Sequence, residues 1–299
     1  MVPLLFAACK GEGKRSGNKE AVPVKWESKS IRKGLVWRSF RGTESISGGR
    51  QVINVLELDL LEPTLSLSFE YYPAKTTLSS AIAATTGAIA GTNASFGTPH
   101  TFIRTKGTTW CDISEADPKD SGNWWKHEAA IWYDGGHTIG FLNYEGQPYE
   151  AIEAYKATTY PNLFSTEPML IDDYQDVKYV GKKNTISVSV HPRTAVALTA
   201  DNKLLLITVD GRWYGMARGM THLELRDFIR LNFNPQYAIA MDGGGSTTMY
   251  VQGQGRSGIV NYPCNDNGAA SGGYAEYEGT CTERNLPTFF IISTTPVND

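Results

Sequence analysis

Three glycines bounded by an acid and by hydroxyls, Asp242-Gly243-Gly244-Gly245-Ser246-Thr247-Thr248, directly follow the apolar stretch 237–241. Each glycine costs backbone entropy, so three together at the end of a strand imply positive φ or close approach of the backbone to a ligand. Amide N–H groups exposed in such a turn form a concave anion site, and the plain alternative is a tight turn with no ligand. No Gly-Lys-Ser/Thr follows, so this is not the phosphate loop of nucleotide-hydrolysing enzymes. Two arginines stand in comparable places, in His191-Pro192-Arg193-Thr194-Ala195 after an alternating stretch and in Thr208-Val209-Asp210-Gly211-Arg212 where an apolar run enters a turn. A guanidinium offers a rigid fork of donors that grips phosphate bidentately; the alternative for Arg193 and Arg212 is a surface role or an ion pair with Asp210 or Asp242. Asp242, Asp210 and Glu167 are the acid–base candidates, because glycosyl transfer to water commonly uses one carboxyl group to protonate the leaving oxygen and another to activate water or attack carbon. Asp210 taken alone, in an Asp-Gly pair, signals only a turn.

Rigid elements must position these groups. Period-two alternation over 52–60, 65–69 and 186–190 predicts half-buried strands, and the nearly continuous apolar runs 204–209 and 237–241 predict strands buried on both faces. Helices are few. Thr221-His222-Leu223-Glu224 has the form of a capping box, continues with Leu225, Phe228 and Ile229 on one face, and stops before Asn234-Pro235. A second, Ala-rich helix is expected over about 78–86. Residues 104–136 read as the least regular region, with Trp110, Trp124, Trp125 and Trp132 among polar residues. Strands outnumber helices without regular alternation, which predicts an α+β fold: a single domain of mixed, largely antiparallel twisted sheet with a few packed helices.

The chain has 299 residues, enough for a sizeable core, and 41% hydrophobic with 20% charged residues is ordinary for a globular enzyme. A formal charge of −3 supplies no field for nucleic acid or an anionic membrane, so an anionic substrate must be held by local arginines. Seven Trp and fifteen Tyr could stack on sugar rings or fill sheet cores. Five His without ligand spacing, and no Cys-x-x-Cys, give no metal site, and no cofactor is expected. The opening residues end in Ala7-Ala8-Cys9, as a lipoprotein signal does, which predicts a lipid on Cys9 as the one membrane attachment and a bacterial envelope location. Residues 1–30 are then leader and tether, and 31–299 one domain. Cys264 and Cys281 flank a Gly/Asn/Ser-rich loop and are the natural pair in an oxidising envelope, leaving Cys111 single.

The order of these segments matters as well. His191 to Ala195, Asp201 to Leu206, Thr208 to Arg212, Gly219-Met220-Thr221 with Leu223-Glu224-Leu225, and Ala240 to Ser246 together resemble the phosphodiester glycosidase family over roughly 186–252. Upstream, Ala90 to Phe96 resembles the family's Asn-Gly-Gly-Phe-Phe segment around Asn93, with Ala94 and Ser95 in place of the glycines. Thr166 to Leu170 resembles its Gly-Pro-x-Leu segment, with Glu167 where glycine is usual, and Arg284 to Thr288 resembles the closing Arg-x-x-Pro element. Residues 104–136 fall outside the resemblance. It implies hydrolysis of a sugar-1-phosphate diester, of the kind carrying N-acetylglucosamine, to free sugar and phosphomonoester. The catalytic candidates remain Asp242, Asp210 and Glu167. Arg193, Arg212, Gly243, Gly244, Gly245, Ser246, Thr247, Asn93 and His191 would bind the substrate, an envelope or host glycan. Two competing readings are a non-catalytic polysaccharide-binding lipoprotein, which would need no acids beside an anion nest, and a phosphoesterase cutting P–O, which would normally need a metal cluster.

Overall fold

The computed structural model describes residues 21–97, 101–111, 124–177, 188–213, 215–264 and 282–295. Three sheets carry these residues, and every strand pairing among them is antiparallel. The largest has eight strands: β1 (Glu27–Arg32), β2 (Leu35–Thr43), β3 (Arg50–Asp59), β14 (Lys203–Val209), β13 (Arg193–Leu198), β15 (Tyr237–Met241), β11 (Met169–Asp172) and β12 (Gln175–Asp176), in that spatial order. A five-stranded sheet runs β7 (Thr108–Cys111), β6 (Ile103–Thr105), β10 (Asn162–Thr166), β8 (Ala129–Tyr133), β9 (Ile139–Asn143). The third sheet orders β16 (Met249–Val251), β5 (Ala88–Asn93), β17 (Leu286–Thr294) and β4 (Leu65–Thr76).

The apolar patterns explain the layering. Leu65, Leu67 and Phe69 alternate with half-buried Ser66 and Ser68 on β4, as period-two spacing requires, whereas β13 is buried along its whole length. The alternation predicts a half-buried β3, but it is buried on both faces from Gln51 to Leu56: Ile53 and Val55 enter the main core, and Val52 packs with Trp213 and Ala217. Phe69 stands 4.8 Å from Phe290, 5.0 Å from Phe164 and 5.8 Å from Tyr133 between ring centroids, which locks the four- and five-stranded sheets together. Such aromatic pairs contribute about 0.5–1.5 kcal/mol each beyond simple burial.

Each helix covers a sheet with one apolar face. α1 (Leu78–Ala84) places Leu78, Ala81 and Ile82 against Leu286, Phe289 and Ile291. α2 (Pro148–Ala157) buries Ala151, Ile152 and Tyr155 beside Phe102, Ala130 and Leu163. α3 (His222–Phe233) buries Leu225, Phe228 and Ile229 in the main core. Its predicted capping box is formed: the Glu224 amide donates to Thr221 Oγ1 (3.1 Å) and the Thr221 amide to Glu224 Oε2 (2.8 Å). Asn234 ends the helix in the left-handed region, φ 42°, just before Pro235.

Two further sequence expectations are corrected. Residues 186 and 187 lie outside the described part of the chain, and Val188 to Val190 form no strand. The Ser189 carbonyl is taken by Arg193 Nη2 (2.6 Å), so the segment bends around the arginine and its carbonyl serves no ladder. The stretch 104–136 is less irregular than it reads: β6, β7 and β8 belong to it, and Trp132 stacks on Tyr160 at 4.0 Å. Residues 1–20, with Cys9, and Cys281 lie outside the described residues; Cys264 carries a buried free thiol. Among the described residues no helix is long and apolar enough to cross a membrane.

Candidate active site

An antiparallel sheet brings the start of one strand beside the ends of its neighbours. Arg193, the first residue of β13, pairs with Val209 at the end of β14, and Thr194 pairs with Met241 at the end of β15. The three motif segments therefore meet at one edge, although Arg193 opens a strand where the sequence suggested that it follows one. β5 ends at Asn93 beside them, and the turn Glu167-Pro168, with its cis peptide bond, joins β10 to β11 from the other side. Between these ends lies a cavity of about 160 Å³ lined by Glu167, His191, Arg193, Arg212, His222, Met241, Asp242, the three glycines, Phe96 and Arg284.

The glycine run is explained by its neighbours. A Cβ on Gly243 would lie 2.8 Å from the Pro192 carbonyl oxygen, and one on Gly244 would lie 3.1 Å from Arg212 Nη2. On Gly245 it would collide with Arg284 Nη2 at 2.5 Å and the Cys264 carbonyl oxygen at 2.8 Å. Only Gly244 has positive φ, 61°. The close approach expected of a ligand is thus made first by two guanidinium groups lying on the turn. The amides of Gly244, Ser246 and Thr247 donate to Pro192, Gly243 and Gly244 carbonyls, so the anion nest is smaller than the sequence implied. Among the described residues the Gly243 and Gly245 amides meet no backbone carbonyl.

Asp242 keeps part of its surface open to the cavity. Enclosure by protein raises its proton affinity above that of an ordinary carboxylate, against the Ser246 hydroxyl and the charges of Arg284 and Lys126. Glu167 is 3% exposed and lines the same cavity. Arg193 is equally buried: Nε donates to the Met220 carbonyl (2.7 Å), Nη2 to Ser189, and Nη1 lies 2.9 Å from His222 Nε2. Burial brings its pKa down to about 10, with Glu167 opposing the fall. Much of its donor fork is therefore spent on the scaffold. Arg212, at φ 62°, donates through Nε to His191 Nδ1 (3.3 Å), and Arg284 Nη1 donates to Ser246 Oγ (3.2 Å). Burial, then Arg212 and Arg193, lower the His191 pKa to about 4, and burial with Arg193 and His191 drives that of His222 well below its usual value. Both imidazoles are neutral at pH 7. With Nδ1 accepting from Arg212, the His191 proton sits on Nε2.

Of the residues expected at the site, Asp242, Glu167, Arg193, Arg212, His191 and the three glycines line the cavity; four others stand behind it. Asn93 is buried and bridges three segments: Nδ2 donates to the Asp242 carbonyl (2.6 Å), while Oδ1 accepts from Thr194 Oγ1 (3.0 Å) and the Thr248 amide (3.1 Å). Thr247 Oγ1 lies 3.3 Å from Thr194 Oγ1, and Ser246 supports Arg284. Asp210 does not reach the cavity. It is 1% exposed and accepts from Asn261 Nδ2 (2.9 Å) and the Tyr262 amide, clamping the segment whose Asn261 also holds the Thr247 carbonyl and the Met249 amide. Burial lifts its pKa to about 7 despite these hydrogen bonds. Arg284, Phe96 and His222 were not named as site residues from sequence. Arg284 and Phe96 sit in segments that carry the resemblance, and the capping box at Thr221 fixes His222 at the helix start.

The phosphodiester glycosidase family profile matches residues 82–292 of the chain. No curated protein sequence matches it. Among solved structures, the zebrafish N-acetylglucosamine-1-phosphodiester alpha-N-acetylglucosaminidase catalytic domain, auto-inhibited by its pro-peptide, superposes with a TM-score of 0.60 at 17% identity, covering 91% of this chain and 88% of that one. A hypothetical protein from Synechocystis gives 0.58 at 13% identity, covering 91% of this chain and 64% of its own. A "Putative exported protein" from Burkholderia pseudomallei gives 0.56 at 13%, covering 84% and 75%. Likeness at such identities speaks for the fold, and the profile runs from within α1 to within β17 and includes every residue that lines the cavity. The chain belongs to the phosphodiester glycosidase family.

Proposed function

We propose that the chain hydrolyses a sugar-1-phosphate diester at the C–O bond, releasing free sugar and a phosphomonoester, with an envelope or host glycan as its substrate. The observation that carries this reading is the meeting of two carboxyl groups, Asp242 and Glu167, with three arginines on a glycine turn in one small cavity. In the proposed step, water attacks the anomeric carbon and loses a proton to one carboxylate, while the C–O electron pair stays on the phosphate. Arg212 and Arg284, which lie against the turn, hold the phosphate oxygens, with the Gly243 and Gly245 amides beneath and the buried charge of Arg193 behind. The raised proton affinity of Asp242 suits it to carry the transferred proton. Asp210, Asn93, Ser246 and Thr247 support this arrangement from outside the cavity. The likeness to a protein described as exported, together with Ala7-Ala8-Cys9, supports an envelope location with lipid on Cys9.

The test is hydrolysis of N-acetylglucosamine-1-phosphate diesters in oxygen-18 water. Label in the released sugar is the expected result; label in the phosphate, or no release from any of a panel of sugar-1-phosphate diesters, overturns the reading. For location, detergent partitioning of the native protein against Cys9→Ser should move only the variant to the aqueous phase.

A further inference from the structure

Lys126, which packs on a residue lining the cavity, lies outside the motif segments although inside the matched span 82–292. The 3₁₀ turn Trp124–His127 belongs to the stretch 104–136, which carries none of them. Buried contacts fix its place. The Tyr155 hydroxyl donates to the His127 carbonyl (2.5 Å), and His127 Nδ1 lies 3.5 Å from Ser165 Oγ. The Ser165 carbonyl accepts from the Ser95 hydroxyl (2.5 Å), which ties the turn to the segment bearing Phe96. Lys126 Nζ lies 4.6 Å from the centroid of the Phe96 ring, and Phe96 lines the cavity. A lysine over an aromatic face is attracted by the ring and is partly stripped of water, which strengthens its action on nearby charges.

Those charges are the two acids. Asp242 and Glu167 both attract Lys126 and oppose the effect of burial, which lowers the lysine's own proton affinity. The groups around Asp242 are Arg284 and Ser246 from the turn side, Lys126 from the 3₁₀ side, Glu167 and Arg193 within the cavity, Arg212 over Gly244, and the neutral His191 and His222. Burial holds the proton affinity of Asp242 up, and the positive charge of Lys126, with that of Arg284, opposes this.

We propose that Lys126 is a positioning residue of the active site, a cation delivered from outside the family's motif segments that acts through Asp242 and Glu167 by setting their charge. The proposal rests on the hydrolase reading of the cavity, so its test includes a readout independent of turnover. Carboxyl ¹³C NMR titration of Asp/Glu-labelled protein, assigned with Asp242→Asn and Glu167→Gln, reads both acids directly. In Lys126→Met their midpoints should move to higher pH, and Lys126→Arg should restore them. Lys126→Gln serves as the second neutral variant if the methionine form does not fold. The limb of the kcat/KM profile governed by these acids should move the same way. Unchanged midpoints in a folded neutral variant, or a rate loss uniform across pH, overturn the proposal. Shifted midpoints in a protein that cleaves no diester support Lys126 and count against the hydrolase reading alone.

Discussion

Each glycine of the 243–245 run answers a different neighbour: a proline carbonyl, a guanidinium with positive φ, and a second guanidinium with a cysteine carbonyl. Sequence alone marked the run through positive φ or close approach; Gly244 has the positive φ, and the fold adds neighbours from elsewhere in the chain that press on all three positions. The same holds for Asp210, whose place beside Arg212 in sequence suggested chemistry and whose fold neighbours are Asn261 and Tyr262. Asp242→Asn keeps shape and removes proton transfer, so kcat on a cleaved diester should fall at least about 10²-fold with an unchanged circular dichroism spectrum. Gly245→Ala should displace Arg284 and raise KM for the diester more than it alters the melting temperature. Asn93→Ala would strand the Asp242 carbonyl and the Thr248 amide and leave the Thr194 hydroxyl to Thr247 alone, and each buried polar group left unpartnered costs about 1–3 kcal/mol. Urea denaturation should register that loss.

At the scale of elements, legibility followed local chemistry. The capping box, the apolar face of α3 and its stop before Pro235 are all encoded within the fifteen residues 221–235, and all are formed. Thr221→Ala should cost about 1 kcal/mol in thermal or urea unfolding. It also removes the cap that holds His222, whose Nε2 faces Arg193, so diester turnover should fall with it. The runs at 204–209 and 237–241 were equally readable because central strands need apolar residues on both faces. Over 188–190 the alternation misled because it carries no sign that Arg193, four residues past Ser189, turns back to take the Ser189 carbonyl. α2 went unread because its buried set, Ala151, Ile152 and Tyr155, is short and is completed only by Phe102 and Leu163 from the five-stranded sheet.

For the whole molecule, the buried acid outside the cavity shapes stability. Asp210 binds its proton more tightly folded than unfolded, so its contribution is fully present below the ordinary carboxylate range and is lost as pH rises through about 7. His191, held near 4, acts oppositely: its contribution is present above about 6.5 and is lost as pH falls through about 4. The melting-temperature advantage of Asp210→Asn over the parent should therefore widen from pH 4 to 7 and then level off, and a constant difference would exclude this assignment. β17 is an inner strand of its sheet, pairing Phe290 with Phe69 on one side and with Thr92 on the other. Its absence leaves two sheet edges open at once, β4 and β5, with Phe69 stripped of its closest ring contact. Synthesis of this chain thus passes through a long interval in which the nucleus of the four-stranded sheet cannot close, a topology that folds slowly and exposes edges to mispairing. Ribosome-bound nascent chains should stay protease-sensitive until Thr294 has cleared the exit tunnel, and chains cut before Leu286 should aggregate.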